Sequence, residues 1–377
     1  MAEQGGVRAE ALGVKEEEFQ VASQWLLGWW RFKKHRAASI SGIVVLLLYF
    51  VTMNGEFLST NDVKNSNKDY IFLPPQPVRY FDNGRFSPHV NEVNGVRDMT
   101  TFQMVYTINP EKKIPLKFFA KGFKYKYLGI FPTNIHFLGI EQAGSRDAIY
   151  FWGGDNLGRD LYSRMVMSAR ISMTIGLLGI GIGLVMGIVI GGISGYYGGI
   201  IDIAIQRFGE FIGGIPTLPL WIALSASLPL TWSIVKIYFA LVLILSIFGS
   251  LSGSRAVRSK FLSLREEDYV MAARLVGASD GRIMFRHMLP GFMSHLIATT
   301  SLSIPGMILG ETALSFLGLG LRPPAVSWGV LLQQAQNIQT IALFPWLMMP
   351  AMAVIVVVLS FNFFGDGLRD AADPYGK

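Results

Sequence analysis

Cysteine is absent from the 377 residues. That excludes a disulfide framework, a thiolate metal site and a cysteine nucleophile. Charge is scarce as well: Asp, Glu, Lys and Arg make up 16% of the chain, where an ordinary soluble domain carries about 25%. Hydrophobic residues reach 51% and the mean hydropathy is +0.39. So few charges cannot cover the surface of a soluble fold of this length, and so much apolar surface excludes disorder for the bulk of the chain. Motifs for catalysis are missing too. The five histidines, His35, His89, His136, His287 and His295, are scattered. No H-E-x-x-H or paired acidic motif anchors a metal. There is no G-x-x-x-x-G-K-[ST] loop, and the one Gly-Lys pair is Gly376-Lys377. If the protein works with ATP, another chain binds it.

What the chain has in excess is long apolar runs. A bilayer core about 30 Å thick needs roughly 20 apolar helical residues. Six segments qualify: 37–53, 171–194, 211–230, 233–251, 292–314 and 343–364. Prolines interrupt the third (Pro216, Pro219, Pro229), the fifth (Pro305) and the sixth (Pro345, Pro350), which neighbouring helices can tolerate. The first run has a basic flank but no small-x-small cleavage site at Thr52-Met53-Asn54-Gly55, so it reads as an uncleaved signal anchor. Residues 1–24 read as a polar tail.

Orientation follows from the basic residues of short loops. Arg31, Lys33, Lys34 and Arg36 precede the first span, and Arg255, Arg258, Lys260, Arg265, Arg274, Arg282 and Arg286 lie between the fourth and fifth. Both segments, and with six spans the C-terminus, are therefore expected in the cytoplasm. The loop 54–170 then lies outside. It holds 15 basic and 11 acidic residues, but a segment this long crosses regardless of charge. Its Phe123, Tyr125 and Tyr127 alternate with Lys124 and Lys126, a period-2 strand signal. Basic residues among aromatics can mark a nucleic-acid surface, but none is expected on a segment facing away from the cytoplasm.

Within the second span Gly179, Gly183, Gly187, Gly191 and Gly195 recur every fourth residue, followed by Gly199. Such a ridge without side chains lets another helix approach closely. A dinucleotide loop would need a strand–turn–helix setting, which a continuous apolar helix does not offer. Gly277-Ala278-Ser279-Asp280-Gly281 matches the G-x-S-x-G hydrolase elbow, but helical patterns flank it where a strand is required. It reads as a turn between two helices. Glu311 is the only acidic residue deep in a span. An intramembrane carboxylate is expensive and a functional candidate, here for a translocation path or gate, or for a structural tie.

The segment between spans four and five carries the most specific pattern. It reads Arg265-Glu266-Glu267-Asp268-Tyr269-Val270-Met271-Ala272-Ala273-Arg274-Leu275-Val276-Gly277, then nine residues, then His287-Met288-Leu289-Pro290. Acidic residues at its start suit the helix dipole, small Ala272 and Ala273 allow close approach to a groove, and Gly277 can end the helix with φ > 0. The pattern resembles the EAA loop of binding-protein-dependent ABC importers, with Met271 where that family carries its first Glu. Gly154-Asp155-Asn156-Leu157-Gly158-Arg159-Asp160, Ser315-Phe316-Leu317-Gly318-Leu319-Gly320 and Gly365-Asp366-Gly367-Leu368-Arg369-Asp370 resemble its dipeptide/oligopeptide permease branch.

The resemblance implies an all-α membrane protein of six transmembrane helices, the type I ABC importer permease fold. The expected layout is a cytoplasmic tail 1–36, a first helix 37–53, an extracytoplasmic insert 54–150 and a five-helix core 151–377 with its ATPase-docking loop at 254–290. The docking surface would use Asp268, Tyr269, Ala272, Ala273, Gly277, Leu289 and Pro290. The implied partners are a second homologous permease, which the glycine ridge is expected to meet, two ATPase subunits that bind ATP and Mg, an extracytoplasmic solute-binding protein and the lipid bilayer. This chain itself is expected to hold no cofactor and catalyse no reaction. Peptides are the implied cargo, with oligosaccharides or nickel complexes as alternatives. Two other classes compete: a proton- or sodium-coupled secondary carrier, which would want more intramembrane carboxylates or inverted repeats, and a membrane-anchored binding or assembly protein.

Overall fold

The computed structural model describes residues 24–82, 84–100, 103–140 and 148–372. Most of the expected N-terminal tail lies outside them. Its end is a helix, α1 (Gln24–Lys34), whose Phe32 is buried edge-on against Phe364, 5.6 Å between ring centroids. His35 then caps α2 (Arg36–Met53), its Nδ1 accepting from the Ala38 N–H at 3.1 Å. The remaining long helices are α3 (Leu161–Tyr197), α4 (Gly199–Gly213), α5 (Thr217–Ala226), α6 (Ile234–Leu264), α7 (Asp268–Leu275), α8 (Asp280–Phe316) and α9 (Pro345–Ala372). Of these, α2, α3, α6, α8 and α9 are each long and apolar enough to cross a membrane. Between 28% and 44% of each apolar window is buried within the chain, so much of every span faces lipid or another subunit.

The third span departs from expectation. In place of one helix over 211–230 there are two, α4 and α5, bent by 84°. The cause lies at Gly213-Gly214-Ile215-Pro216: proline has no N–H to continue the ladder and keeps the residue before it out of the helical region. Pro219 is harmless, since it falls in the first turn of α5 where the N–H has no partner. The pair still crosses, because of how its neighbours run. Thr174 of α3 meets Tyr238 of α6, Gly183 meets Ser246, Gly187 meets Ser254 and Gly195 meets Arg258. The two helices are therefore parallel, and the chain must return across the bundle between them.

The other spans fit the same count. The N-terminal end of α8 ties to the C-terminal end of α3 through Asp280 and Tyr196, and Glu311 near its far end ties to Ser172, so α8 runs opposite to α3. α9 starts beside Gly154 through Trp346 and ends beside Ala38. Among the described residues the chain thus crosses six times, with α4 and α5 as one bent span. The start of α2, the helix α7 and the end of α9 share one end of the bundle. α3 is about 55 Å long at 1.5 Å per residue, and the insert sits at its other end.

The insert is β. Strands β1 (Arg79–Asp82), β2 (Arg85–Arg97) and β3 (Met104–Pro115) form an antiparallel sheet in that order, and β4 (Lys117–Tyr127) with β5 (Phe131–Gly139) forms a separate hairpin. The alternation at 123–127 falls in β4, with Lys124 and Lys126 exposed and Phe123, Tyr125 and Tyr127 half-buried. The flanking segments belong to the helical bundle. Tyr70 and Leu73 are buried with Tyr150, and Asn61 donates to Ile149 O at 2.6 Å and to Asp160 at 3.2 Å. Asp160 caps α3, accepting from the N–H groups of Tyr162 and Ser163. Burial pushes its carboxyl above the usual range, and bonds from Ser163, Asn61 and Thr60 oppose that. Gly153, Gly154 and Gly158 leave no room for a Cβ against the carbonyls of Leu73, Tyr70 and Asn67.

Candidate functional site

The helix α7 forms because its chemistry is right at both ends. Asp268 stands in the first turn and Arg274 in the last, each favourable with the helix dipole. The far end is a Schellman motif. Ala278 N–H donates to Ala273 O at 3.0 Å and Gly277 N–H to Arg274 O at 2.9 Å, with Gly277 at φ +78°. Nothing lies within 4 Å of where a Gly277 side chain would start. Glycine is required there by backbone conformation, not by space.

α7 has two distinct faces. Val270 and Ala273 turn inward, packed with Val257, Phe261, Ile283 and Met288. The outward face carries Asp268, Tyr269, Met271 and Ala272, and then Leu275 and Val276, which are 88% and 84% exposed. Partial burial, with the Glu267 carboxylate nearby, pushes the Tyr269 phenol above its usual range. Of the residues expected to dock a partner, Asp268, Tyr269, Ala272, Gly277 and Pro290 are exposed, whereas Ala273 and Leu289 belong to the chain's own core. Met271, Leu275 and Val276, exposed on the same face, are not among the residues expected to dock. Their signal is the i, i+4 spacing of Met271 with Leu275 and of Ala272 with Val276, an apolar stripe on a helix in a basic loop.

The loop is clamped to the bundle. Tyr196 and Tyr197, at the end of α3, donate to the two carboxylate oxygens of Asp280 at 2.8 and 3.2 Å, and the Arg274 guanidinium lies 5.1 Å from the Tyr196 ring centroid. Nearby, Arg258 of α6 grips Asp202 of α4 with two bonds of 2.5 Å, and Ser194 of α3 donates to the same carboxylate. Three helices are joined at that carboxylate.

The glycine ridge leads from this end into the membrane. Gly179, Gly183, Gly187, Gly191 and Gly195 are all buried, and their neighbour is α6 of the same chain, not a partner permease. Ser246, Ser250 and Ser254, also four apart and buried, face them. A Cβ on Gly191 would lie 2.3 Å from Ser254 O, and one on Gly195 2.7 Å from Arg258 O. Ser246 donates across to Gly179 O at 2.9 Å, while Ser250 and Ser254 satisfy their hydroxyls on carbonyls of α6 itself, so small side chains and one interhelical bond permit the close approach.

Glu311 is fully buried where α3, α8 and the following loop meet. Ser315 and Ser172 donate to its carboxylate at 2.8 and 3.2 Å. Those hydroxyls in turn accept from the N–H groups of Leu321 and Trp328. The carboxylate is thus the hub that folds the Ser315–Gly320 turn and the segment after it back onto α3.

Residues 187–375, half of the chain, match the family described as binding-protein-dependent transport system inner membrane component. The chain belongs to this family. Residues 23–75 match the N-terminal transmembrane domain of oligopeptide transport permease C, while 76–186, with the five strands found among the described residues, lies in neither match. A dipeptide transport system permease protein of Alkalihalophilus pseudofirmus is 40% identical over 61% of this chain and 73% of its own length. An oligopeptide transport system permease protein of Bacillus subtilis is 35% identical over 64% and 76%, and a glutathione transport system permease protein of Pectobacterium atrosepticum 36% over 67% and 77%. The protein is thus a multi-pass membrane component of a binding-protein-dependent ABC importer with the type I permease fold, a transport subunit of a family that implies ATPase and substrate-binding partners.

Proposed function

We propose that this subunit passes peptides or similar small solutes, handed over by a solute-binding protein, into the cytoplasm. It does so paired with a second, homologous permease and with two ATPase subunits that bind ATP and Mg and carry out all hydrolysis. The α7 end, with the start of α2 and the end of α9, is the cytoplasmic end, in keeping with the basic residues of 255–286 and 31–36. The strands 79–139 then lie outside. The observation that carries the reading is the exposed apolar face of α7: Tyr269, Met271, Ala272, Leu275 and Val276 stand at the tip of a basic loop, on a helix anchored by its opposite face. That is the form of a surface made to enter a groove on another protein.

Mechanism follows from the ties. Closure of the ATPase pair displaces α7, and the contacts Tyr196–Asp280 and Arg258–Asp202 pass that displacement to α3, α4 and α6. The close-packed α3–α6 pair then moves as one body. Glu311 holds the opposite end of α8 on α3 and so sets where the outer side opens. Cargo must bind the two states unequally for the cycle to be coupled. The test is reconstitution with ATPase and binding-protein partners. Leu275→Asp should release the ATPase subunits from the membrane while the permease still inserts. Retention of the ATPase at wild-type level would remove α7 as the docking element.

A further inference from the structure

We propose that the β4–β5 hairpin is a lipid anchor whose tip dips into the outer leaflet beside the first span. Three observations converge on it. The first is direction. Going down the chain toward the membrane from residue 57 to residue 54, the hairpin is met in order from base to tip: Phe57 packs on Phe137 and Phe119, Glu56 O meets His136 Nδ1 at 2.9 Å, and Asn54 Oδ1 accepts from Tyr127, at the last pair before the turn, at 2.7 Å. Asn54 closes the last turn of α2. The turn beyond Tyr127 therefore points past the end of a membrane span, into the bilayer.

The second is composition against conformation. The turn Tyr127-Leu128-Gly129-Ile130 has positive φ at both central residues, +51° and +76°. A hairpin turn of this kind favours Asn-Gly or Asp-Gly, because both central residues need φ > 0. Here a leucine occupies the unfavourable position, and Ile130 and Phe131 beside it are 70% and 62% exposed. The third is the rim. Lys124 and Lys126 are exposed just behind the apolar tip, where their long side chains can snorkel to lipid headgroups. An apolar tip with a basic and aromatic collar is the pattern of interfacial insertion.

The chain has no cysteine, so one introduced thiol carries a spin label at one place. Ile130→Cys is compared with Met99→Cys, which is 82% exposed in the turn of the other hairpin, in full-length protein in nanodiscs of phosphatidylethanolamine and phosphatidylglycerol. The expected result is a label at 130 relaxed more by oxygen than by a water-soluble nickel chelate, and the reverse at 99. Equal chelate access at both positions overturns the proposal. So does a label at 130 shielded from both reagents only when the partner permease is present, since the occupant would then be protein.

Discussion

Ala272 and Ala273 are adjacent in sequence and opposite in use. Ala273 is 8% exposed among Val270, Ile283 and Met288, while Ala272 faces out. Ala273→Arg buries an unpaired charge and overfills the cluster, at a cost of about 4 kcal/mol or more, and should show as loss of folded protein on gel filtration. Ala272→Arg should leave thermal stability within about 0.5 kcal/mol, as surface substitutions do, yet abolish co-purification of the ATPase. An Ala272→Arg permease that still binds its ATPase would move the contact elsewhere. Gly277→Val meets no atom but forces a β-branched residue to φ +78°; it should cost about 1–2 kcal/mol from the left-handed backbone alone, measured by thermal unfolding. Glu311→Ala strands the hydroxyls of Ser172 and Ser315, worth about 1–3 kcal/mol, and should lower the melting temperature together with uptake. If that variant melts like wild type and does not transport, Glu311 acts on the cargo path and not as a tie.

At the scale of elements the pairing of α3 with α6 decides most of the bundle, and its tolerance is graded. A Cβ on Gly183 finds ordinary contact at 3.5 Å from Ser246 O, whereas one on Gly191 meets Ser254 O at 2.3 Å. Gly183→Ala should therefore be close to neutral, and Gly191→Ala should cost about 1–3 kcal/mol as overpacking does. The readout is thermal unfolding of the chain purified without its partner, because both helices are its own. Equal effects at the two positions would mean that the helices are not held at this separation. The ridge was legible in the sequence because four-residue glycine spacing has one geometric meaning; its partner was not. Ser246, Ser250 and Ser254 show the same spacing, but nothing local says that they face α3 and not lipid. The break near Pro216 was likewise visible, while the 84° turn depends on what α5 packs against. For α7, charge, small residues and Gly277 marked the site, but the inward turn of Ala273 depends on residues such as Ile283 and Phe292 across the loop.

Over the whole molecule the same limit recurs at its outer end, where the decisive contacts join residues about a hundred positions apart. Asn61 and Thr60 meet Asp160 and Ser163, and Tyr70 and Leu73 fill the space left by Gly153, Gly154 and Gly158. The loop looks like one insert over 54–150 by length and composition, but its ends are part of the support for α3. Gln76 and Tyr150 close that support with two hydrogen bonds, Gln76 N–H to Tyr150 O at 3.1 Å and Tyr150 N–H to the Gln76 side chain at 2.8 Å. Beyond it, Val78 and Ile140 lie in one apolar cluster, so the strands leave and return at nearly the same place. Two deletions should then behave differently. Replacing 79–139 by a short flexible linker removes the strands and keeps the support, and the chain should insert, assemble and transport with binding protein. Replacing 61–145 also removes Asn61, Tyr70 and Leu73, which takes the Asn61 bond from the buried Asp160 cap and uncovers Gly153, Gly154 and Gly158, and should yield little assembled complex. Membrane yield and binding-protein-dependent uptake read both. If the 79–139 deletion assembles normally but loses uptake, the strands take part in receiving the loaded binding protein, and anchoring to lipid is not their whole role.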